Sequence, residues 1–253
     1  MKPFIIANWK CNPDSFSKAK KIFDPIKKGA TKVKGVETII CPPYIYLPEL
    51  IKSAKKTKVK IGGENCFWEK GGSFTGEISA KMMKDLGCNY VIVGHSERRK
   101  YFKETNRLIN KKIKLALENN LKVILCIGET KKEKEAGDFS KVVRNQIKKG
   151  LKNIPRKRLK QILIAYEPVW AIGSGKPCKP VQAQVTSLLV KKILTELYNR
   201  KAAREVPFLY GGSVNKDNAL DYLKEEGIKG LLIGGASLRP KEFVKIIKTA
   251  STL

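Results

Sequence analysis

The chain has one histidine, and its six cysteines form no Cys-x-x-Cys pair. Transition-metal sites need clusters of thiolate and imidazole ligands, so this scarcity leaves little material for one and we expect no metal. Cys126 lies inside an apolar, strand-like run, as do several of the other cysteines. This placement is typical of unpaired thiols that serve as small hydrophobic side chains in a reducing compartment. We therefore expect a cytoplasmic protein.

Long hydrophobic runs are also missing, because no stretch approaches the ~18 apolar residues that a membrane span needs. The first apolar run, Phe4–Ala7, is soon broken by Asn8 and Lys10 and does not resemble a signal peptide. No linker, low-complexity tract or shift in composition divides the sequence. We expect no membrane association and a single domain over residues 1–253.

Acidic residues are scarce, with 23 Asp and Glu against 52 Lys and Arg, which gives a formal net charge of +29. Such an excess raises nucleic acid or an anionic membrane as possible partners. The lysines, however, are spread over nearly every polar helical face, whereas nucleic-acid binders gather charge on one face and interleave aromatic side chains. We favour a solvated basic surface and do not expect nucleic acid as a partner.

What the sequence does contain is a regular alternation of apolar, strand-like runs with segments of helical period. Most of the runs are apolar without interruption, which favours parallel strands covered on both faces. Eight units of strand and helix over 253 residues predict an α/β protein built as one (β/α)₈ barrel, the TIM-barrel architecture. A doubly wound open sheet is the alternative, but the turn after the first strand, residues 8–13, has no glycine. The predicted strands are Phe4–Trp9, Thr38–Cys41, Val59–Gly62, Tyr90–Val93, Val123–Ile127, Ile162–Tyr166, Phe208–Tyr210 and Leu231–Ile233.

The most informative segment follows the sixth predicted strand. Glu167 stands directly after that strand, and Pro168 cannot continue its hydrogen-bond ladder. An apolar body at residues 169–172 then leads to Gly173 and Gly175, a composition typical of a lid that excludes water and swings on permissive backbone. The ordinary alternative is a surface loop that carries a solvated glutamate.

Polar residues follow the other predicted strands at the same end of the barrel, where strand ends share one mouth. Each has an ordinary alternative as a turn residue or a structural histidine, but their chemistry is complementary. Glu167 could act as a base, His95 as an electrophile or proton shuttle, and Lys10 as a fixed positive charge. The glycine-rich turns after strands seven and eight could direct backbone N–H groups at a phosphate. Together these groups predict proton abstraction beside a carbonyl in a small phosphorylated substrate.

Seven motifs in this order resemble the triosephosphate isomerase family from end to end. They are Ala7–Lys10, Gly71–Glu77, Gly94–Arg99, Cys126–Glu129, Ala165–Lys176, Tyr210–Val214 and Gly234–Leu238. The resemblance implies interconversion of dihydroxyacetone phosphate and D-glyceraldehyde 3-phosphate through an enediolate, in glycolysis and gluconeogenesis, without a cofactor.

The resemblance also implies a role for each site residue. Glu167 would abstract the carbon-bound proton, while a neutral His95, Asn8 and Lys10 would stabilise the enediolate. Glu97 would orient the electrostatics of the site. The substrate-binding residues would be Asn8 and Lys10, with the backbone around four further residues holding the phosphate: Gly173, Ser213, Gly234 and Gly235.

Quaternary structure is implied by the segment Gly71–Glu77. In the family this loop inserts into a neighbouring subunit, with Thr75 reaching the partner's site. On a monomer, the apolar side chain of Phe74 would be exposed to solvent and would favour aggregation. We therefore expect a homodimer.

The sequence departs from the family pattern in four places. Ser73 stands where alanine is common, and Ser174, where threonine is common, is a mild change. Glu64 stands where glutamine is common. The far end of the predicted lid reads Lys176-Pro-Cys-Lys-Pro180, in which Lys179 cannot supply the side-chain helix cap that a threonine would. A catalytically inactive scaffold or another sugar-phosphate isomerase remain alternatives, but the first would be expected to have lost Glu167, His95 or Lys10.

Overall fold

The structure, a computed structural model, describes residues 2–172 and 177–253. Its strands are β1 (Phe4–Asn8), β2 (Glu37–Cys41), β3 (Lys60–Gly63), β4 (Tyr90–Val93), β5 (Lys122–Ile127), β6 (Ile162–Tyr166), β7 (Phe208–Tyr210) and β8 (Ile228–Ile233). Its α-helices are α1 (Phe16–Lys32), α2 (Leu47–Ala54), α3 (Ala80–Leu86), α4 (Ser96–Tyr101), α5 (Asn106–Glu118), α6 (Lys131–Glu135), α7 (Phe139–Gly150), α8 (Pro180–Leu197), α9 (Arg200–Glu205), α10 (Ala219–Lys224) and α11 (Pro240–Ala250).

The eight strands are parallel and close into a barrel in sequence order, because β1 pairs with both β2 and β8. This confirms the predicted (β/α)₈ architecture. The predicted bounds of β4, β6 and β7 match the structure, whereas β8 begins at Ile228, three residues before the predicted start. The exposed Lys229 interrupts the apolar run there, so the apolar pattern did not reveal the first three residues of the strand.

Two hydrophobic layers fill the molecule, one inside the barrel and one between strands and helices. Residues alternate between them because successive side chains of a strand point to opposite faces. In β1, Ile6 points into the barrel and Ile5 and Ala7 pack against the helices. Two residues beyond Ile6, the same alternation directs Asn8 inward at the barrel mouth.

Glu167 follows the same alternation two residues after Ala165, which belongs to the interior layer. Its backbone N–H donates to Ile127 O at 2.7 Å, so the chain after β6 stays against β5. Gly128 permits this approach, since a Cβ there would lie 1.8 Å from the Glu167 carbonyl oxygen and its φ is +157°. Only glycine fits between these strand ends.

The described residues beyond the predicted lid begin a helix without the usual cap. Lys179 makes no side-chain cap, as expected, but its backbone N–H donates to Gln182 Oε1 at 3.2 Å. Pro180 occupies the first turn, where its missing N–H costs nothing. Before the helix, Cys178 N–H donates to Tyr210 Oη at 3.2 Å, and Tyr222 Oη donates to the Cys178 carbonyl. This end of the segment is therefore held by strand β7 and helix α10.

Across residues 2–172 and 177–253, every helix is either too short or too polar to cross a lipid bilayer.

Candidate active site

A cavity of about 270 Å³ opens at the carboxyl ends of the strands. The structure brings seven of the eight predicted site residues to its wall: Asn8, Lys10, His95, Glu167, Ser213, Gly234 and Gly235. The eighth, Gly173, lies outside the described residues, together with residues 174–176 of the predicted lid. Ile172, the last described residue of that segment, lines the cavity.

The turn from β4 into α4 places His95 at the cavity. Gly94 adopts a left-handed conformation with φ of +75°, which turns the chain, and His95 is the N-terminal cap of α4. Arg99, one turn along, donates from Nε to Gly94 O at 2.8 Å and from its guanidinium to Cys126 O at 3.0 Å. This half-buried guanidinium ties the turn that carries His95 to β5.

His95 and Glu167 are in direct contact in this cavity. His95 Nε2 lies 2.9 Å from Glu167 Oε1, and the Ser96 N–H donates to Glu167 Oε2 at 3.2 Å. Burial by itself raises the pKa of Glu167, but the charge and hydrogen bond of His95 outweigh it and lower that pKa. Both carboxylate oxygens are thus held, and Glu167 is ionised at neutral pH.

The hydrogen bonds of the imidazole favour one tautomer. His95 Nδ1 accepts from the Glu97 N–H at 3.3 Å, and only an unprotonated nitrogen can accept. The proton of the neutral ring is therefore on Nε2, facing Glu167 and the cavity. Burial lowers the pKa of His95, but the adjacent Glu167 carboxylate raises it above the ordinary value overall, which is opposite in direction to the neutral imidazole that the family resemblance implies.

Lys10 supplies a fixed positive charge beside this pair. Its ammonium lies 2.6 Å from Glu97 Oε1, and its backbone N–H donates to Asn8 Oδ1 at 3.2 Å. Lys10 has φ of +57°, an uncommon conformation for a residue with a side chain that costs on the order of 1–3 kcal/mol. Strain at such a position is typical of a functional site, and here it accompanies an ammonium that lines the cavity.

The glycine-rich turns after β7 and β8 form the opposite wall. Among the described residues, no partner accepts the backbone N–H groups of Gly212, Ser213 or Gly235. Donors of this kind, on loops that precede helices, are suited to an anion such as phosphate. Arg239 lines the same wall and pairs with Glu242.

Comparison with known proteins agrees with this geometry. A family model described as Triosephosphate isomerase matches residues 3–250. The chain belongs to the triosephosphate isomerase family. A relative of that name from Dictyoglomus turgidum is 44% identical over 253 residues, covering 98% of this chain and 99% of the relative. Relatives of the same name from Endomicrobium trichonymphae and Alkaliphilus oremlandii are 43% and 42% identical, and each alignment covers at least 97% of this chain and 98% of the relative.

Two contacts in this triosephosphate isomerase fold were missed by the sequence reasoning. The Ser96 N–H holds Glu167, and Arg239 lines the cavity. Ser96 lies in the Gly94–Arg99 motif, and Arg239 directly follows the Gly234–Leu238 motif. Their position in or beside a motif was the only feature of the sequence that could have indicated a place at the site. A backbone donor has no residue-type signature, because every residue except proline carries an N–H group.

Glu64, the departure from the family pattern, lies near Lys10 and carries a buried oxygen, Oε1, without a hydrogen-bond partner among the described residues. Burial raises the pKa of this carboxyl to about 8, and the negative charge of Glu97 adds to the effect. The backbone and ammonium of Lys10 act in the opposite direction but do not balance it. A buried, incompletely paired carboxylate destabilises the folded state once it ionises.

Replacing Glu64 by glutamine is therefore expected to stabilise the fold at alkaline pH. The folded state binds the Glu64 proton more tightly than the unfolded state. The wild type therefore loses stability as the pH rises from the ordinary pKa of a glutamate, 4.5, to the raised pKa of about 8. Glu64→Gln removes this loss and should raise the free energy of unfolding by about 1–3 kcal/mol at pH 8.5, with little difference near pH 4.5. Urea unfolding at both pH values measures it. The exposed Glu205→Gln is the matched control, and a Glu64→Gln effect independent of pH would contradict the explanation.

Proposed function

We propose that this chain interconverts dihydroxyacetone phosphate and D-glyceraldehyde 3-phosphate by proton transfer through an enediolate. Membership of the triosephosphate isomerase family and the name of its relatives support the reaction. The single observation that carries the mechanism is the contact of His95 with an ionised Glu167, 2.9 Å apart in a cavity that Lys10 also lines.

Glu167 is the proposed base. Its carboxylate would take the proton from the carbon next to the carbonyl and return it to the neighbouring carbon, which moves the carbonyl by one position. Its lowered pKa supports this role, because the carboxylate is ionised at neutral pH. A positioned general base contributes typically about 10²–10⁴-fold to a rate.

The remaining acceleration is assigned to groups aimed at the developing oxyanion. With substrate bound, the His95 Nε2–H would turn from Glu167 to the substrate oxygen, and the Asn8 amide and Lys10 ammonium would stabilise the negative charge. Such preorganised donors act strongly in a buried site because they need not reorient during the reaction. Asn8 and His95 are each 5% exposed, which supports a site of this kind.

The phosphate of the substrate is proposed to bind the turns after β7 and β8. Ser213, Gly234 and Gly235 would donate backbone N–H groups, and Gly173 of the lid would add another. The cavity, of about 270 Å³, has room for a three-carbon phosphate.

No cofactor or metal is needed for this proposal, since the base, the proton donor and the fixed charge are all side chains of the protein. Residues 1–253 are proposed to fold as one catalytic domain that works in the cytoplasm. Nucleic acid is not proposed as a partner, since the basic residues are dispersed over the helices.

The direct test of the reaction is to incubate the purified protein with dihydroxyacetone phosphate in heavy water. Expected products are glyceraldehyde 3-phosphate and deuterium at the carbon that exchanges its proton, both detected by proton NMR. Failure to convert either triose phosphate would contradict the proposed function.

The chain is also proposed to act as a homodimer through the Gly71–Glu77 loop. Phe74 in this loop packs on Phe67, with ring centroids 4.7 Å apart, yet remains 43% exposed. Other large apolar side chains are exposed on segments that follow the consecutive strands β1 to β4: Phe16, Ile45, Met82, Leu86, Tyr101 and Phe102. Helix α8 exposes four further apolar side chains, but those that follow β1 to β4 lie on neighbouring segments together with Phe74, an arrangement that suits a subunit interface.

Replacing Phe74 by glutamate is expected to dissociate this dimer, because the substitution buries an unpaired charge in the interface. Sedimentation at micromolar concentration should give the wild type twice the chain mass of 28.4 kDa and the variant the chain mass itself. The matched control is Leu188→Glu on α8, which is 62% exposed on another face and should stay dimeric. A monomeric wild type, or equal dissociation of both variants, would contradict the proposed interface.

A further inference from the structure

A second cavity, of about 490 Å³, lies at the opposite end of the barrel from the candidate active site. It is bounded by α8, by α9 and by the amino ends of β7 and β8. Five cationic side chains line it, and together they define the basic cleft: Lys191, Lys192, Arg200, Arg204 and Lys229.

Among the described residues, the cations of the basic cleft make no close ion pair, although the charge of Glu196 acts on Lys192 from a greater distance. Glu226 is the one carboxylate among the described lining residues, and no described carboxylate oxygen comes within 4.0 Å of any of the five cations. By contrast, Glu196, on the same helix α8, pairs with Arg144 outside the cleft. The cleft therefore concentrates positive charge in a concave surface, where low-dielectric walls strengthen the field.

Lys191 anchors the wall of the cleft. Its ammonium donates to Ala203 O at 2.8 Å and to Val206 O at 2.5 Å, so it stays fixed against the end of α9. Burial and the positive charge of Lys229 lower the pKa of Lys191 to about 8. The positive charges around the cleft thus repel one another, and a bound anion would relieve that repulsion.

Apolar groups complete the site. Leu188, Val206 and Pro207 line the same cavity, next to the cations. A volume of about 490 Å³ is within the range of sites for metabolite-sized ligands. One phosphate would engage only two or three of the five cations, whereas a chain of phosphates can reach most of them.

We propose that the basic cleft binds a small molecule that carries a chain of phosphate groups. The ligand is either an inorganic polyphosphate or a nucleoside triphosphate, which share this chemistry. The site is separate from the isomerase cavity, and its existence does not depend on the proposed function.

Isothermal titration of the wild type with inorganic tripolyphosphate, at 0.15 M salt, tests the proposal. Glycerol 3-phosphate is added in excess to occupy the candidate active site, so that only binding elsewhere is recorded. We expect one site per chain, and we expect the double variant Arg200→Ala/Arg204→Ala to raise its Kd by about tenfold or more. Neither arginine makes a side-chain hydrogen bond to a described residue, and circular dichroism checks that the variant is folded.

The matched control is Lys21→Ala/Lys28→Ala on α1, which removes the same net charge from exposed positions far from the cleft. Its Kd should change by less than about twofold, as expected for exposed charges screened at this salt. An equal loss in both double variants would overturn the proposal in favour of the overall charge of +29. Binding that glycerol 3-phosphate abolishes would overturn it in favour of the active site.

A parallel titration with ATP distinguishes the two sources of the ligand. Equal affinity for ATP and tripolyphosphate would support a site for the phosphate chain alone. Tighter binding of ATP, weakened by Leu188→Ser, would support a nucleotide whose base packs on the apolar wall. No binding of either probe outside the active site would refute the proposal, whatever the isomerase assay shows.

Discussion

Replacing Glu167 by glutamine is expected to lower kcat for triose phosphate isomerisation by about 10²–10⁴-fold. Glutamine keeps the shape of the side chain, and its one amide oxygen can still accept a hydrogen bond from either His95 or the Ser96 N–H. It cannot accept a proton from carbon at neutral pH. The loss should therefore fall on kcat, with a smaller change in KM, because the phosphate and hydroxyl contacts of the substrate are kept.

A coupled assay in both directions measures this loss, and thermal unfolding checks that the variant is folded. Glu135→Gln on the exposed face of α6 is the control and should retain wild-type kcat. The rate at which deuterium from heavy water enters dihydroxyacetone phosphate is a second measurement. In Glu167→Gln this rate should fall in parallel with kcat. Comparable kcat in Glu167→Gln and the wild type would refute Glu167 as the base.

Replacing Lys10 by methionine is expected to lower kcat/KM by about 10²–10³-fold, the usual loss when one stabilising group for an oxyanion is removed. Methionine matches lysine in length, and it tolerates the φ of +57° no worse than lysine does. The substitution removes the ammonium 2.6 Å from Glu97 and leaves an unbalanced negative charge beside the cavity. Both effects oppose the binding of an anionic substrate and the formation of the enediolate.

Lys18→Met, which removes a lysine paired with Asp14 on an exposed face, separates the local effect of Lys10 from that of net charge. It lowers the charge of the chain by the same amount and should change kcat/KM by less than about twofold in physiological salt. Steady-state kinetics of the two variants, at matched ionic strength, make the comparison. Equal losses in both would assign the role of Lys10 to the general positive field of the protein.

The candidate site was predictable from sequence to the extent that its residues follow strand ends. Asn8 and Glu167 each continue the inward alternation of a strand whose apolar residues are visible in the sequence. Parallel strands bring their carboxyl ends together, so the two residues had to share a mouth once the barrel closed. Gly173 was predicted from the family resemblance instead, and its part in phosphate binding stays a prediction.

The contacts that tune the site were not predictable in this way. The pair of Lys10 with Glu97 joins residues 87 positions apart, and the Ser96 N–H reaches Glu167 across 71 positions. Sequence patterns report which face a residue occupies but not which distant charge it meets. The cap of α8 shows the same limit, because the missing side-chain cap at Lys179 was correctly predicted, whereas the acceptor that Gln182 provides was not considered.

The sequence by itself determined the order of eight buried strands, the inward placement of the candidate base and the family of the protein, because periodicity and strand-end motifs are local. Only the tertiary structure decided which carboxylates are paired. It left Glu64 with a buried oxygen that no described residue pairs, and it gathered five cations from α8, α9 and β8 into one cleft. Charges act through space and not along the chain, so their balance at any one place exists only after the barrel has closed.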